Sequence, residues 1–362
     1  MGQAEIREFV EEDIPQVVQL RKRCFRFTQK PAFDDQCAYF KGLFFQNPWK
    51  KEGLPSLVYQ ADDGTIKGFL GVLPRPMLIG NERIRVAIST SFMVDPGARS
   101  ALVGVVLLKR FLDGPQDMSL ADIASPVTRK LWESLGGTTA LLYSLYWRRP
   151  LRPGRYNLHL FQNCGMPRLL SLVAKPMICI GDYIATRLAG SPYRAIKPSG
   201  SLDDMNADMW VQHLCEFSGK GSLRPIYDKH SLQWLIGEIS QKTTLGFLRK
   251  ALVKKGDYEV VGAYAYCINP GGISQVIQVS ASKGSIDFVL DHLFYDAWER
   301  GVIALAGRLD PVFVGQLSNK GCFFDRGGPF VLIHSRNHRI VQEVQNGNAF
   351  LTRMEGEWCM NF

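Results

Sequence analysis

Two tandem domains of mixed α/β (α+β) class, each a mixed, mostly antiparallel sheet flanked by helices, are what this sequence predicts, on three observations. The chain has 362 residues, more than one hydrophobic core normally serves. Its composition, 46% hydrophobic and 21% charged with 11% aromatic, is that of a folded globular protein and lacks the polar bias of disorder. An order of strands and helices met in the first half also recurs in the second, with Gly68 and Gly136 separated by 68 residues and Gly262 and Gly321 by 59. The expected boundaries are an N-terminal domain over residues 1–150, a basic, partly apolar linker over 151–200 and a C-terminal domain over 201–362.

Taken in order, EIREF (Glu5 to Phe9) alternates like a short strand, and Ile14, Val17, Val18, Leu20 and Phe25 recur at helical spacing. A second helix is predicted over Asp34 to Phe45. The run SLVYQ to SFMV then reads as three strands joined by turns at Asp63-Gly64 and Gly80-Asn81, an antiparallel meander. A helix follows from Ala98 to Leu112, then the strand MSLADIA. The next helix, PVTRKLWESLGG, has Pro126 suited to its first turn and Gly136 to its C-terminal cap. TTALLYSLYW is expected to close the unit as one strand. In the second half LRKALVKKGDYEVVGAYAYCINPGG is strand, turn and strand, and ISQVIQVSAS is a strand. Ser285 to Arg300 is a helix, VIALAGRL a strand, PVFVGQLSNKG a helix and PFVLIHS a strand.

The net charge is +9, and its placement matters more than its size. From Arg148 to Lys197 nine Lys or Arg face only Asp182, so nearly the whole surplus lies in the middle of the chain. That segment includes MPRLLSLVAKPMICIGDYIATRLAG, whose Lys175, Pro176 and Asp182 are incompatible with a dry membrane span. It suits packing between domains, attraction of a phosphorylated substrate, or peripheral contact with an anionic membrane surface. The eight cysteines form no CxxC pair and no cluster with histidine, so no metal site and no disulfide framework are expected. The acidic start lacks the basic and apolar regions of a secretory leader, and a cytoplasmic location is expected.

The segment SFMVDPGARSALVGVVLLKRFL carries the most specific pattern: a strand end, a loop containing small residues, and a helix start. A pyrophosphate requires convergent N–H donors and the positive end of a helix, and small residues let the main chain approach it. This pattern resembles the coenzyme-A-binding signature [QR]xxGx[GA] of the GCN5-related N-acetyltransferases (GNAT). Arg99 stands at its first position and Gly104 at its last, while Leu102 replaces the middle glycine. The resemblance implies a cofactor contact along Met93, Val94, Arg99, Ser100, Ala101, Leu102, Val103 and Gly104. The family's second signature, NxxAxxLYxxxGF, reads here SPVTRKLWESLGG, which adds Ser125, Thr128, Leu131 and Trp132.

In the family a tyrosine hydroxyl protonates the departing thiolate, and Trp132 stands at that position. By residue type and place, Tyr146 and Tyr143 are the candidate replacement acids, and Asp122 and Ser91 the candidate bases for an incoming ammonium. Each of the four also suits an ordinary structural role. The second half offers only Lys283, Gly284 and Ser285 before its helix and Leu317 and Gly321 later, as a degenerate copy would. The arrangement is similar to Fem-type and other double-GNAT enzymes. Near the C-terminal end, Glu355, Glu357 and Trp358 lie close to an expected final strand, either to receive an amine or sugar or, with Trp358 packed, as solvated carboxylates.

The resemblance implies an acyltransferase that moves an acetyl or longer acyl group from acyl-CoA to an amine or hydroxyl acceptor, small molecule or saccharide, bound between the domains. No metal and no DNA are expected. A catalytically silent double-GNAT sensor and a Fem-like transferase using an aminoacyl-tRNA donor are the alternatives.

Overall fold

The computed structural model describes residues 4–25, 32–50, 53–97, 101–165, 167–217, 223–256 and 258–360, the side chains of 101, 168–172, 215 and 243 aside. In chain order the elements are β1 (Glu5–Glu8), α1 (Ile14–Cys24), α2 (Phe33–Phe45), β2 (Leu57–Gln60), β3 (Ile66–Ile79), β4 (Glu82–Val94), α3 (Ala101–Leu112), β5 (Met118–Ala124), α4 (Pro126–Ser134) and β6 (Thr138–Thr139). Then follow β7 (Tyr146–Pro150), α5 (Pro153–Asn163), α6 (Arg168–Ala185), β8 (Ser201–Asp204), α7 (Ala207–Phe217), β9 (Leu223–Pro225) and α8 (Lys229–Ser240). The last are β10 (Phe247–Lys255), β11 (Glu259–Ile268), β12 (Ile273–Ala281), α9 (Ile286–Glu299), β13 (Ala304–Arg308), α10 (Val314–Asn319), β14 (Phe323–Asp325), β15 (Phe330–His334) and α11 (His338–Gln345).

The chain divides into two compact units, as the length and the repeat imply, but neither is contiguous. Unit 1 comprises Met1–Leu141, Gly221–Leu235 and Pro329–Phe362, and unit 2 comprises Leu142–Lys220 and Ile236–Gly328. The expected division at residues 150 and 201 is corrected accordingly. Two stretches of the expected C-terminal domain pair with strands of the N-terminal sheet: β9 with β3, and β15 with β5. The expected linker is likewise no linker. It holds α5 and α6, which pack on each other within unit 2, with buried Asp182 accepting from the Gly154 amide at 2.6 Å and the Arg155 guanidinium at 3.0 Å.

Unit 1 is built on a sheet of order β1-β2-β3-β4-β5-β15-β6, with β9 on β3. All its neighbours are antiparallel except β4 and β5. On one face Phe9, Phe40, Phe44 and Phe69 form an edge-packed aromatic cluster under α1 and α2. On the other, Leu70, Val72, Ala87 and Ala121 pack on Val103, Leu107, Leu108 and Phe111 of α3 and Trp132 of α4. Unit 2 has the sheet order β14-β7-β13-β12-β11-β10-β8, and its core gathers Val253, Val261, Tyr264, Val276, Leu293 and Leu305 with α9.

The segment TTALLYSLYW is not one strand, which corrects the expectation. Thr138 and Thr139 pair with β15 in the first sheet, Leu141 and Leu142 are exposed, Leu142–Ser144 makes a tight helical turn, and β7 joins the second sheet beside β13. The two halves thus exchange closing strands. Where β5 expects a neighbour from the first half it receives β15, and where β13 expects one from the second it receives β7.

Candidate functional site

β4 and β5 are parallel, and their pairing is short. Val86, Ala87 and Ile88 face Met118, Ser119 and Leu120, after which the register ends although β4 runs on to Val94 and β5 to Ala124. The distal halves of these strands therefore splay apart. On its other edge β4 carries a bulge: Phe69 pairs with Met93 and Gly71 with Thr90, so two steps of β3 match three of β4. The extra residue falls at Ser91 and Phe92. Ser91 has φ of 49°, and among the described residues it is the one non-glycine in the left-handed region. A bulge turns main-chain groups out of the regular ladder, here beside the opening.

Because β4 and β5 run the same way, the helices that follow them start at the same end of the sheet, where open α/β sheets keep their binding crevice. The turn after β4 is fixed by Asp95, which accepts from the Gly97 amide at 2.9 Å and pairs with Arg23 at 3.0 Å. Burial pushes this carboxyl up, but the Gly97 amide and the Arg23 charge outweigh it and hold it below the usual aspartate value. At Gly104 α3 lies against the strand with room for one more carbon: a Cβ there would sit in ordinary contact, 3.5 Å from Phe92 Cζ and from Val94 Cγ2. Gly68 is stricter, since a Cβ would fall 2.7 Å from Leu107 Cδ1 and 2.8 Å from Val103 Cγ1. Leu102, in place of the motif's middle glycine, is 68% exposed and so does not fill the opening. At the start of α4, Ser125 accepts from the Thr128 amide at 3.1 Å and Pro126 opens the helix. The outcome is a bulged strand edge beside the start of α3, with the start of α4 capped by its own Ser125.

The candidate residues are distributed unevenly. Met93, Val94, Leu102, Gly104, Ser125 and Thr128 border this end of unit 1, whereas Arg99 and Ser100, and the side chain of Ala101, lie outside the described residues. Val103 and Trp132, like Met93, have buried side chains. Trp132 is 0% exposed and packs on Phe111 with ring centroids 6.0 Å apart, and half-buried Leu131 joins the same cluster. Ser91 is at the bulge. Asp122 is fully buried on β5, where its Oδ1 accepts from the Glu357 amide at 2.6 Å. Tyr143 and Tyr146 are buried in unit 2, so the structure does not gather the four catalytic candidates into one compact unit.

The tail differs from both readings of it. Residues 351–360 form turns rather than a strand, and Glu355 and Glu357 are buried rather than solvated. Glu355 accepts from Tyr227 Oη at 2.9 Å and from the Thr352 amide at 2.6 Å, and burial pushes its carboxyl up against the opposing pull of those bonds. Close by, Arg75 is 1% exposed and lies 4.2 Å from the Trp49 ring centroid, with Nε and Nη1 lacking a hydrogen-bond partner among the described residues. Sequence reading passed over Arg75, although a cation between Pro74 and Pro76 inside an apolar strand was the signal available. Thr90, at the bulge, also has a buried hydroxyl without a partner among the described residues.

Unit 2 repeats the arrangement in a less open form. β12 and β13 pair in parallel over Ile273–Val276 and Ala304–Gly307, and β12 is bulged against β11, with Ala265 facing Gln278 but Tyr266 facing Val276. Before α9, the Ser282 hydroxyl bonds the Ser285 hydroxyl at 2.9 Å. On the sheet, Tyr266 donates to Asp296 at 2.7 Å, and Arg300 holds the same carboxylate at 3.0 Å.

No protein-family model matches the chain, and no curated protein matches it. Solved structures do. A GCN5-related N-acetyltransferase from Anabaena variabilis superposes with a TM-score of 0.61 at 12% identity, over 93% of this chain and 74% of that one. One from Kribbella flavida gives 0.58 at 13% identity, over 92% of this chain and 71% of that one. Saccharomyces cerevisiae N-myristoyltransferase with bound myristoyl-CoA gives 0.51 at 12% identity, over 92% and 78%. The strand order, the bulged and splayed β4, and these superpositions together establish that the chain has the fold of the GCN5-related N-acetyltransferases.

Proposed function

We propose that this chain transfers an acyl group from acyl-coenzyme A to an amine or hydroxyl acceptor. The observation that supports it most directly is the opening between β4 and β5, bordered by the Ser91 bulge and the start of α3. The pantetheine arm lies along the unpaired edge of β4 from Ser89 to Val94, taking main-chain bonds that β5 leaves unclaimed there. The diphosphate meets the turn and helix start between Val94 and Gly104, as anions do at helix N-termini. The acceptor attacks the thioester carbonyl, whose developing oxyanion is bonded by a main-chain N–H of the bulge, and the coenzyme A thiolate departs as the new bond forms. Ser91, half-buried at the bulge, relays the acceptor's proton to the departing thiolate, which leaves as the free thiol. Asp122 holds residues 352–360 against β5 through the Glu357 amide.

The burial of Trp132, where the family signature has its acid, supports a second reading in which the unit binds coenzyme A without turning it over.

Thermal-unfolding titrations with acetyl-CoA, longer acyl-CoAs and free coenzyme A, run beside thiol-release assays on an amine and aminosugar panel, separate the two. Stabilisation with thiol release is the expected result, and stabilisation without release on any acceptor establishes the second reading. Gly104→Glu sets a carboxylate against Phe92 and Val94 and is expected to abolish the coenzyme A shift, while Gly104→Ala retains it. A shift that survives in Gly104→Glu places the donor elsewhere, and a tRNA complex with steep salt dependence favours an aminoacyl-tRNA donor instead.

A further inference from the structure

The helix α6 in unit 2 presents an apolar face that its own unit leaves uncovered. Val173, Met177, Ile180 and Ile184 are spaced by four, three and four residues, so they fall on one stripe, and Leu188 extends it. These five side chains are between 54 and 79% exposed. Tyr183 and Pro176 border the stripe on one side and Gly181 on the other, all exposed, and none carries a charge. Asp182 falls on the opposite side, buried and engaged by Arg155.

Along the sequence, the charges flanking the stripe are of one sign apart from buried Asp182. From Arg148 to Lys197 the nine cations are opposed only by that buried aspartate. Lys175, Arg187, Arg194 and Lys197 are exposed, Arg187 lies 3.8 Å from the Tyr183 ring centroid, and Ile196 is a further exposed apolar side chain between two of them. The stripe itself carries no polar side chain with which a partner protein could fix its register. An interfacial helix needs only an uncharged apolar face, with cations around it for anionic headgroups. No helix among the described residues is long and apolar enough to cross a membrane, so the geometry is that of a helix lying in the interface.

We propose that α6 and the segment through Lys197 dock unit 2 onto an anionic lipid surface, with Val173, Met177, Ile180, Ile184 and Leu188 entering the headgroup boundary and Arg187, Arg194 and Lys197 on the phosphates.

The test is co-sedimentation of the full chain with phosphatidylcholine vesicles, with and without phosphatidylserine. The wild type is expected to sediment with the phosphatidylserine vesicles and to be released by high salt. Replacing Arg187, Arg194 and Lys197 by Gln is expected to lower partitioning on the order of a hundredfold at physiological salt. Val173→Asp with Ile180→Asp and Ile184→Asp, all at exposed positions, is expected to abolish sedimentation while thermal unfolding stays unchanged. A wild type that remains in the supernatant overturns the proposal, as does an aspartate variant that sediments like the wild type. If the supernatant protein is a dimer that the aspartate variant converts to monomer, the face belongs to a second copy of the chain.

Discussion

The main-chain amide of Glu357 donates to Oδ1 of Asp122 at 2.6 Å, pinning residues 352–360 to β5 where that strand has parted from β4. Gly356 sits directly over the carboxylate, and a Cβ there would overlap all three carboxylate atoms. Gly356→Ala is therefore expected to lose about 1–3 kcal/mol of stability through overpacking, read from chemical denaturation. An unchanged midpoint would mean that the tail lifts off β5 without cost.

Trp132 fills the space between α3 and α4 with its indole Nε1 buried and without a partner among the described residues. Trp132→Ala is expected to cost about 3–5 kcal/mol. Trp132→Phe removes the unpaired donor and should cost far less, with the acyl-CoA thermal shift intact. Loss of that shift in the phenylalanine variant would return Trp132 to the cofactor contact.

At Ser91 the strand adopts φ of 49°, which glycine takes freely and a β-branched residue resists. Ser91→Val is expected to cost about 1–3 kcal/mol and to weaken the acyl-CoA shift by flattening the bulge. Ser91→Gly keeps the shift and, under the proposed proton relay, slows turnover. Equal turnover in the glycine variant and the wild type would exclude the serine hydroxyl from that relay.

Two histidines set a pH dependence of stability. Burial holds His292 below the ordinary histidine value against the bond to the Ser199 carbonyl, and burial with the neighbouring Arg336 does the same to His334. With the folded value depressed, the unfolded chain takes up the proton first as pH falls. Their contribution is therefore present above about pH 6.5 and is lost as the pH drops through the folded values. Unfolding midpoints measured from about pH 7 to 5 should fall, and His292→Gln should shallow the slope. A flat profile in the wild type would contradict the burial of both rings.

The local structure of the first half was legible because each element carried its own punctuation. Gly64 and Gly80 adopt the positive φ their turns require, Gly136 ends α4 with φ of 89°, and Ser125 and Pro126 begin it. The strand within SFMVDPGARS was likewise legible, and it is the one that outruns its pairing with β5. Pairing was not legible. Nothing in PFVLIHS says that it will lie beside MSLADIA rather than VIALAGRL, since both are apolar strands and the choice is made by packing over some two hundred residues. The tail was misread because its glutamates look solvated until Tyr227 and Thr352 are seen to satisfy Glu355.

The exchange of β7 and β15 also bears on how the polypeptide is made. A ribosome emits β5 well before β15, yet β5 has its outer neighbour only after His334 has left the exit tunnel, so the nascent sheet waits with an open edge while the intervening residues are made. Ordering such distant pieces favours slow acquisition of the native state and a need for protection meanwhile. A cut after Pro150 would leave β7 on the piece that holds β5, and β15 on the piece that holds β13.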